Sequence, residues 1–223
     1  MNQPRLTAAA LREDGAIRTY IESADASLAA LGYTEHSFAH VGLVAERAAA
    51  LLTALGMPAR TAELARIAGL LHDIGNMVNR VGHSQSGALL AFRLLEERGM
   101  PPEEVAAVTT AIGNHDEGDG EAVSEIAAAL ILADKSDVRR SRVRQGDPAG
   151  FDIHDRVNFS VLSSSLTVER EAGRVTLSLT IDTAVSPVMD YFEIFLERML
   201  LCRRAARRLS LAFSLVINGT VLL

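Results

Sequence analysis

This chain of 223 residues has a single cysteine, Cys202, no run of eighteen apolar residues and no excess of basic charge. Each lack removes a class of protein. A lone cysteine excludes an internal disulfide and fits a reducing cytoplasm, which is the expected location. Without an apolar run of membrane-spanning length, the chain reads as globular and not membrane-embedded. The net charge of -6 argues against nucleic acid as the main partner, because a protein that tracks a phosphate backbone carries a basic surplus. It leaves a small anionic substrate open. Met1 to Ala10 shows neither a basic leader with an apolar stretch nor a small-residue cleavage pattern, so no export signal is expected. What the chain does have is 48% hydrophobic residues, enough to bury a sizeable core in one domain or one and a half.

Helical spacing dominates the first two thirds. Ile17, Tyr20, Ile21 and Leu28 predict a helix over Arg12 to Leu31 that stops at Gly32. A second helix is expected from near Thr34 to Leu55, with His40 beside Val44 and Leu51 and His36 one turn earlier. Pro58 suits a first helical turn, and Leu64, Ile67 and Leu71 then lead to His72-Asp73, with Gly75 read as the residue that lets the chain turn away. His83 opens another helix whose buried face continues through Gly87, Leu90 and Leu94. After the break at Gly99-Met100-Pro101-Pro102, Val105, Val108 and Ile112 form a stripe that ends in His115. The acidic run Asp116 to Gly120 reads as a solvated turn. A helix over 121–144 would place Asp134 and Asp137 on the stripe of Ile126 and Leu130, where an ionised carboxylate needs a partner. Lys135 should point elsewhere, so that partner is expected from another segment.

Five helices or helix ends therefore each present an imidazole or carboxylate from an apolar face: His40, His72 with Asp73, His83, His115 and Asp134. One shared ligand explains the set better than separate structural roles. Imidazole and carboxylate donors without thiolate suit a divalent metal, Fe or Mn first and then Zn, Ni, Co or Mg. Six donors exceed what one metal with an open position requires, whereas two metals bridged by Asp73 would use them all.

The ordered pattern of His40, His72-Asp73, His83, His115 and Asp134 resembles the HD-domain superfamily of metal-dependent phosphohydrolases, over roughly Tyr33 to Arg144. The resemblance implies that His40, His72, Asp73 and Asp134 are core metal ligands and that His83 and His115 complete a second metal site. It is also similar to the HD-GYP cyclic-dinucleotide phosphodiesterases, but Asp-Glu-Gly-Asp-Gly follows His115 where those carry Gly-Tyr-Pro. The implied activity is hydrolysis of a phosphate ester of a nucleotide, cyclic nucleotide or related small molecule by a metal-activated water. Asp73, Lys135, His36 and Arg139 are the catalytic candidates, with Arg140 or Arg142 able to share the phosphate contact. Two other functions fit the same residues: a mixed-valence di-iron oxygenase, as in a few members of that superfamily, or a metal-stabilised sensing or dimerisation module.

Beyond Gly146 to Gly150 the composition turns β-branched. Val157, Phe159 and Val161 alternate with polar residues, as do Val175, Leu177, Leu179 and Ile181, which predicts an antiparallel pair joined at Ala172-Gly173. Ser186-Pro187 opens a long helix through Val188, Phe192, Phe195, Met199 and Cys202. Leu211 to Ile217 makes a third strand, and Asn218-Gly219 a turn. The expected architecture is mostly α: a helical metal-binding catalytic domain over 1–150 and a small ββαβ subdomain over 151–223. The second part carries no evident chemistry, and its open strand edges predict a homodimer.

Overall fold

The structure, a computed structural model, describes residues 5–144 and 150–223. Met1–Pro4 of the N-terminal reading and Gly146–Ala149 of the expected linker lie outside the described residues. Asp14 divides the first expected helix in two. Its side chain accepts from the amides of Ala16 at 2.9 Å and Ile17 at 3.2 Å, so it ends α1 (Ala8–Glu13) and caps α2 (Gly15–Ala30). Next comes α3, which spans Phe38–Ala54 and begins at the Ser37 cap, not near Thr34. The segment before it is extended because its amides are taken from elsewhere: the Asp25 carboxylate accepts from His36 N at 2.7 Å and the Arg142 carbonyl from Glu35 N at 2.8 Å.

Small residues set the distance between α3 and α4 (Ala59–Leu71). A Cβ on Gly69 would stand 2.6 Å from the Ala45 Cα, and Ala48, Ala49, Ala65 and Ala68 are fully buried in the same region. Pro58 caps α4 from just outside its first turn. After His72 the backbone tightens into a 3-10 turn, Ile74–Met77, and α5 (His83–Glu97) and α6 (Pro102–Gly113) follow. The next helix, α7, covers Glu125–Lys135 and stops well short of the expected residue 144. Beyond it the Asp137 carbonyl accepts from Arg142 Nη1 at 2.9 Å, a contact that a continuing helix would compete with.

The last third differs most from expectation. Val157 and Phe159 belong to α8 (Ile153–Ser160), where the Asp152 side chain caps the first turn by accepting from Asp155 N at 2.8 Å. A five-residue alternation fits either period, and the cap decides for the helix. The strand expected there starts only at Val161: β1 (Val161–Glu169) pairs antiparallel with β2 (Arg174–Ile181) through a turn at Gly173, whose φ is +61°. The long α9 (Val188–Arg208) then crosses over, so β3 (Ala212–Ile217) runs parallel to β2. Asn218 and Gly219, at φ +50° and +79°, turn the chain into β4 (Thr220–Val221), a strand the sequence reading missed. The sheet order is β1-β2-β3-β4.

Helix α9 packs on both β3 and α7. Tyr191, Met199 and Cys202 thereby join Ile131 and Leu132 in one buried apolar cluster that runs from Ala8 to Ile217. The part after residue 150 thus forms a wall of the helical region, and the outcome is a mostly α chain in which the expected ββαβ order is present as β1, β2, α9 and β3, with α8 added before it and β4 after it. Among the described residues no helix is long and apolar enough to cross a membrane.

Candidate metal centre

Three histidines are oriented by one local device. The Nδ1–H of His72 donates to the Gly69 carbonyl at 2.8 Å, that of His83 to Arg80 at 3.1 Å and that of His115 to Ile112 at 2.6 Å. In each case the acceptor lies three residues earlier. A carbonyl only accepts, so the proton sits on Nδ1 and Nε2 is left as the inward electron-pair donor. His40, on α3, reaches the same orientation through a carboxylate: its Nδ1 donates to Asp137 Oδ2 at 2.7 Å.

The four Nε2 atoms converge. Those of His40 and His72 lie 3.3 Å apart and those of His83 and His115 3.2 Å apart. Asp73 joins the groups, with Oδ2 at 3.4 Å from His40 Nε2 and 3.2 Å from His72 Nε2, and Oδ1 at 3.6 Å from His83 Nε2. Asp134 Oδ1 completes them at 3.4 Å from His40 and 3.7 Å from His72. Two nitrogens bound to one tetrahedral ion at about 2.0–2.1 Å stand about 3.3–3.4 Å apart, so these spacings fit donors around a shared cation. Two overlapping sets could each hold a metal: His40, His72 and Asp134, and His72, Asp73 and His115. All six expected donors are buried and face one another.

The charges fit a cation as well. Burial lowers the pKa of His72, but the carboxylates of Asp73 and Asp134 outweigh it and raise that pKa to about 10. Burial and the neighbouring His72 charge push His115 down to about 3. Burial also opposes ionisation of Asp73 and Asp134, yet His72 beside the first and Lys135 beside the second hold both well below the usual carboxylate range. A proton on His72 supplies the positive charge these carboxylates require, and a metal would supply it in the proton's place.

Around the donors lies a layer that the sequence reading largely missed. Asp137, on the expected stripe but beyond the end of α7, is the carboxylate that orients His40. Asn76 Nδ2 donates to Asp73 Oδ1 at 3.0 Å, and among the described residues its buried Oδ1 has no partner. Lys135 does not point away: its Nζ meets Asp134 Oδ2 at 2.7 Å and Glu117 Oε2 at 3.2 Å. Adjacent Cβ atoms diverge on a helix, but the long lysine stem returns over the helix end. Glu117 is therefore no solvated turn residue. Burial raises its pKa, but Lys135 and Arg198 overturn that and keep the carboxylate ionised.

A cavity of about 440 Å³ opens onto this cluster. His36 lines it, although it precedes α3 and does not sit one turn along it. Its Nδ1 donates to the Thr34 carbonyl at 2.7 Å, and burial followed by the nearby Arg142 pushes its pKa well below the usual histidine value. Arg139 lies outside the cavity lining, contrary to expectation. Its guanidinium is taken by Asp137 at 2.8 Å and Glu35 at 3.0 Å. Arg140 donates to the Phe159 carbonyl and Arg144 to Asp25 and the Tyr33 carbonyl, so of this arginine run only Arg142 lines the cavity. The opposite wall comes from the part thought to carry no chemistry: His154 and Asn158 of α8, and Phe195 and Arg198 of α9. All six histidines of the chain thus line the cavity or stand in the cluster beneath it, and that count was the one signal for His154.

The Asp137 contact makes a quantitative prediction. Replacing Asp137 by Asn removes the charge that fixes the His40 ring, and metal affinity should fall about 10- to 100-fold. Titration against a competing chelator measures it; unchanged affinity would mean that His40 needs no such support.

The family model for the HD domain matches residues 37–139. No curated protein matches the chain. The matched segment carries all six converging donors and Asp137, and ends before α8, β1, β2 and α9.

Proposed function

We propose that this chain, whose residues 37–139 match the HD domain, a family whose members bind divalent metals, is a metal-dependent phosphohydrolase acting on a small phosphate ester such as a nucleotide or cyclic nucleotide. The observation that carries this reading is the convergence of four imidazole Nε2 atoms and two carboxylates at the floor of a cavity whose walls carry arginine and lysine. His40, His72 and Asp134 would hold one metal and His83 and His115 a second, with Asp73, whose two oxygens face both groups, shared between them. When bound, such ions lower the pKa of coordinated water and offset charge that develops on phosphoryl oxygens.

The chain's own residues supply the remaining functions. The carbonyls behind His72, His83 and His115 keep their Nδ1 protons in place, so the Nε2 atoms stay available. Lys135 holds the outer oxygen of Asp134 and leaves Oδ1 facing the imidazoles. Neutral His36, with Nδ1 committed to Thr34, presents Nε2 as a proton acceptor beside the cluster. Arg142 is anchored by the Glu35 and Asp137 carbonyls at 2.9 Å each, which suits it to meet an anionic group without a large loss of side-chain freedom. Burial of the whole floor strengthens each of these contacts relative to water.

The test is phosphate or nucleoside release from a panel of phosphomonoesters and of linear and cyclic nucleotides, with Mn or Fe supplied. Turnover of one class is the expected result. Oxygen uptake by an iron-loaded protein that cleaves nothing would replace the proposal with an oxygenase. A loaded protein inert in both assays would replace it with a binding module.

A further inference from the structure

Helix α9 lies outside the matched HD segment, yet one of its side chains is better prepared to receive an anion than Lys135 within that segment or Arg142 just beyond it. Lys135 is occupied by two carboxylates, and Arg142 gives two of its nitrogens to backbone carbonyls beside the buried Asp137. Arg198 is held differently. Its Nε donates to Glu117 Oε1 at 2.6 Å, and its guanidinium lies 4.2 Å from the centre of the Phe195 ring. Among the described residues neither terminal nitrogen of Arg198 donates a hydrogen bond, and the residue lines the cavity above the donor cluster.

We propose that Arg198 is the substrate's phosphate clamp, with both terminal nitrogens offered to phosphoryl oxygens, so that the segment after the HD domain completes the active site and selects its substrate. The clamp is rigid before anything binds. Phe195 is buried and fixes the plane, while Glu117 fixes its rotation. A planar fork held this way loses little freedom on forming two parallel bonds to one phosphate. Its place over the metal donors follows from a chain of contacts: Asp134 to Lys135, Lys135 to Glu117, Glu117 to Arg198. Glu117 thus links the clamp to the candidate ligands, although it comes from a loop and Arg198 from a helix 81 residues later.

This inference rests on the phosphohydrolase reading, and its test separates the two. Inorganic phosphate is titrated calorimetrically into the metal-loaded wild-type protein and the variants Arg198→Lys and Arg198→Met, with metal content and melting temperature recorded for each. Arg198→Lys keeps a charge for Glu117 but removes the fork. Both variants should retain metal and bind phosphate about 10- to 100-fold more weakly, as expected for losing hydrogen bonds to a charged group. Any ester that is turned over should show the loss mainly in KM. Phosphate affinity fully restored by lysine would overturn the proposal, since a purely structural pairing with Glu117 explains that result. Wild-type protein that does not bind phosphate would overturn it too. Weakened phosphate binding in the variants, with no ester cleaved by wild type, would uphold the clamp and remove the phosphohydrolase reading instead.

Discussion

Asp73→Asn should strip the protein of metal and of turnover together. The Asp73 carboxylate is 5% exposed and divides its oxygens, Oδ2 facing His40 and His72 and Oδ1 facing His83 and Asn76. Both proposed metals would draw on it. The amide keeps the shape but replaces one oxygen with a donor nitrogen, which can only turn hydrogens toward the imidazoles or lose its bond from Asn76. Removing an outer partner of a metal ligand costs about 10- to 100-fold, and loss of a ligand shared by both metals should exceed that range. Metal content by mass spectrometry should fall below one ion per chain. The rise in melting temperature that metal gives the wild type through linkage should vanish in the variant. Full metal occupancy with unchanged turnover would sink the assignment of the centre.

Gly75→Ala is expected to act on the backbone instead. A Cβ at residue 75 would lie 2.0 Å from the His83 carbonyl oxygen and 2.5 Å from the Gly87 amide nitrogen, and neither atom can rotate away. The 3-10 turn after Asp73 and the first turns of α5 therefore touch backbone to backbone. Gly75 is needed for that contact; its φ is not in the left-handed region, so the turn itself does not require glycine. Forcing the two apart moves His83 away from Asp73 and His115. The overpacking should cost about 3 kcal/mol, which lowers the melting temperature by about 6–12 °C in a chain of this size. Gly87→Ala supplies the comparison, because its nearest contacts, 3.1 Å to the His72 carbonyl oxygen and 3.2 Å to the Gly75 nitrogen, need only small shifts. A Gly75→Ala protein that melts with wild type would show that α5 can retreat freely.

Much of the site was legible because its donors end apolar stripes. His72 closes the stripe of Leu64, Ile67 and Leu71, His115 that of Val105, Val108 and Ile112, and Asp134 follows Ile126 and Leu130. Periodicity alone aims those side chains inward. It fails where a cap or a long side chain intervenes. Asp14 splits one helix, Asp152 turns an apparent strand into α8, and Lys135 doubles back onto Asp134. Arg139 looked like a phosphate ligand because nothing local shows that Glu35, 104 residues earlier, will hold it.

By itself the sequence determined the helical character, the hairpin at Gly173 and the six donors that face one another. All of these depend on residue spacing and on turn chemistry within a few positions of the chain. Only the tertiary structure decided that Asp137 orients His40 across 97 residues and that α9 brings Phe195 and Arg198 over the cavity. The physical reason is that a stripe states which way a side chain points but not what it meets. That is settled when small residues let α3 and α4 close together and α9 lies down on α7, and such long-range contacts leave no local period to read.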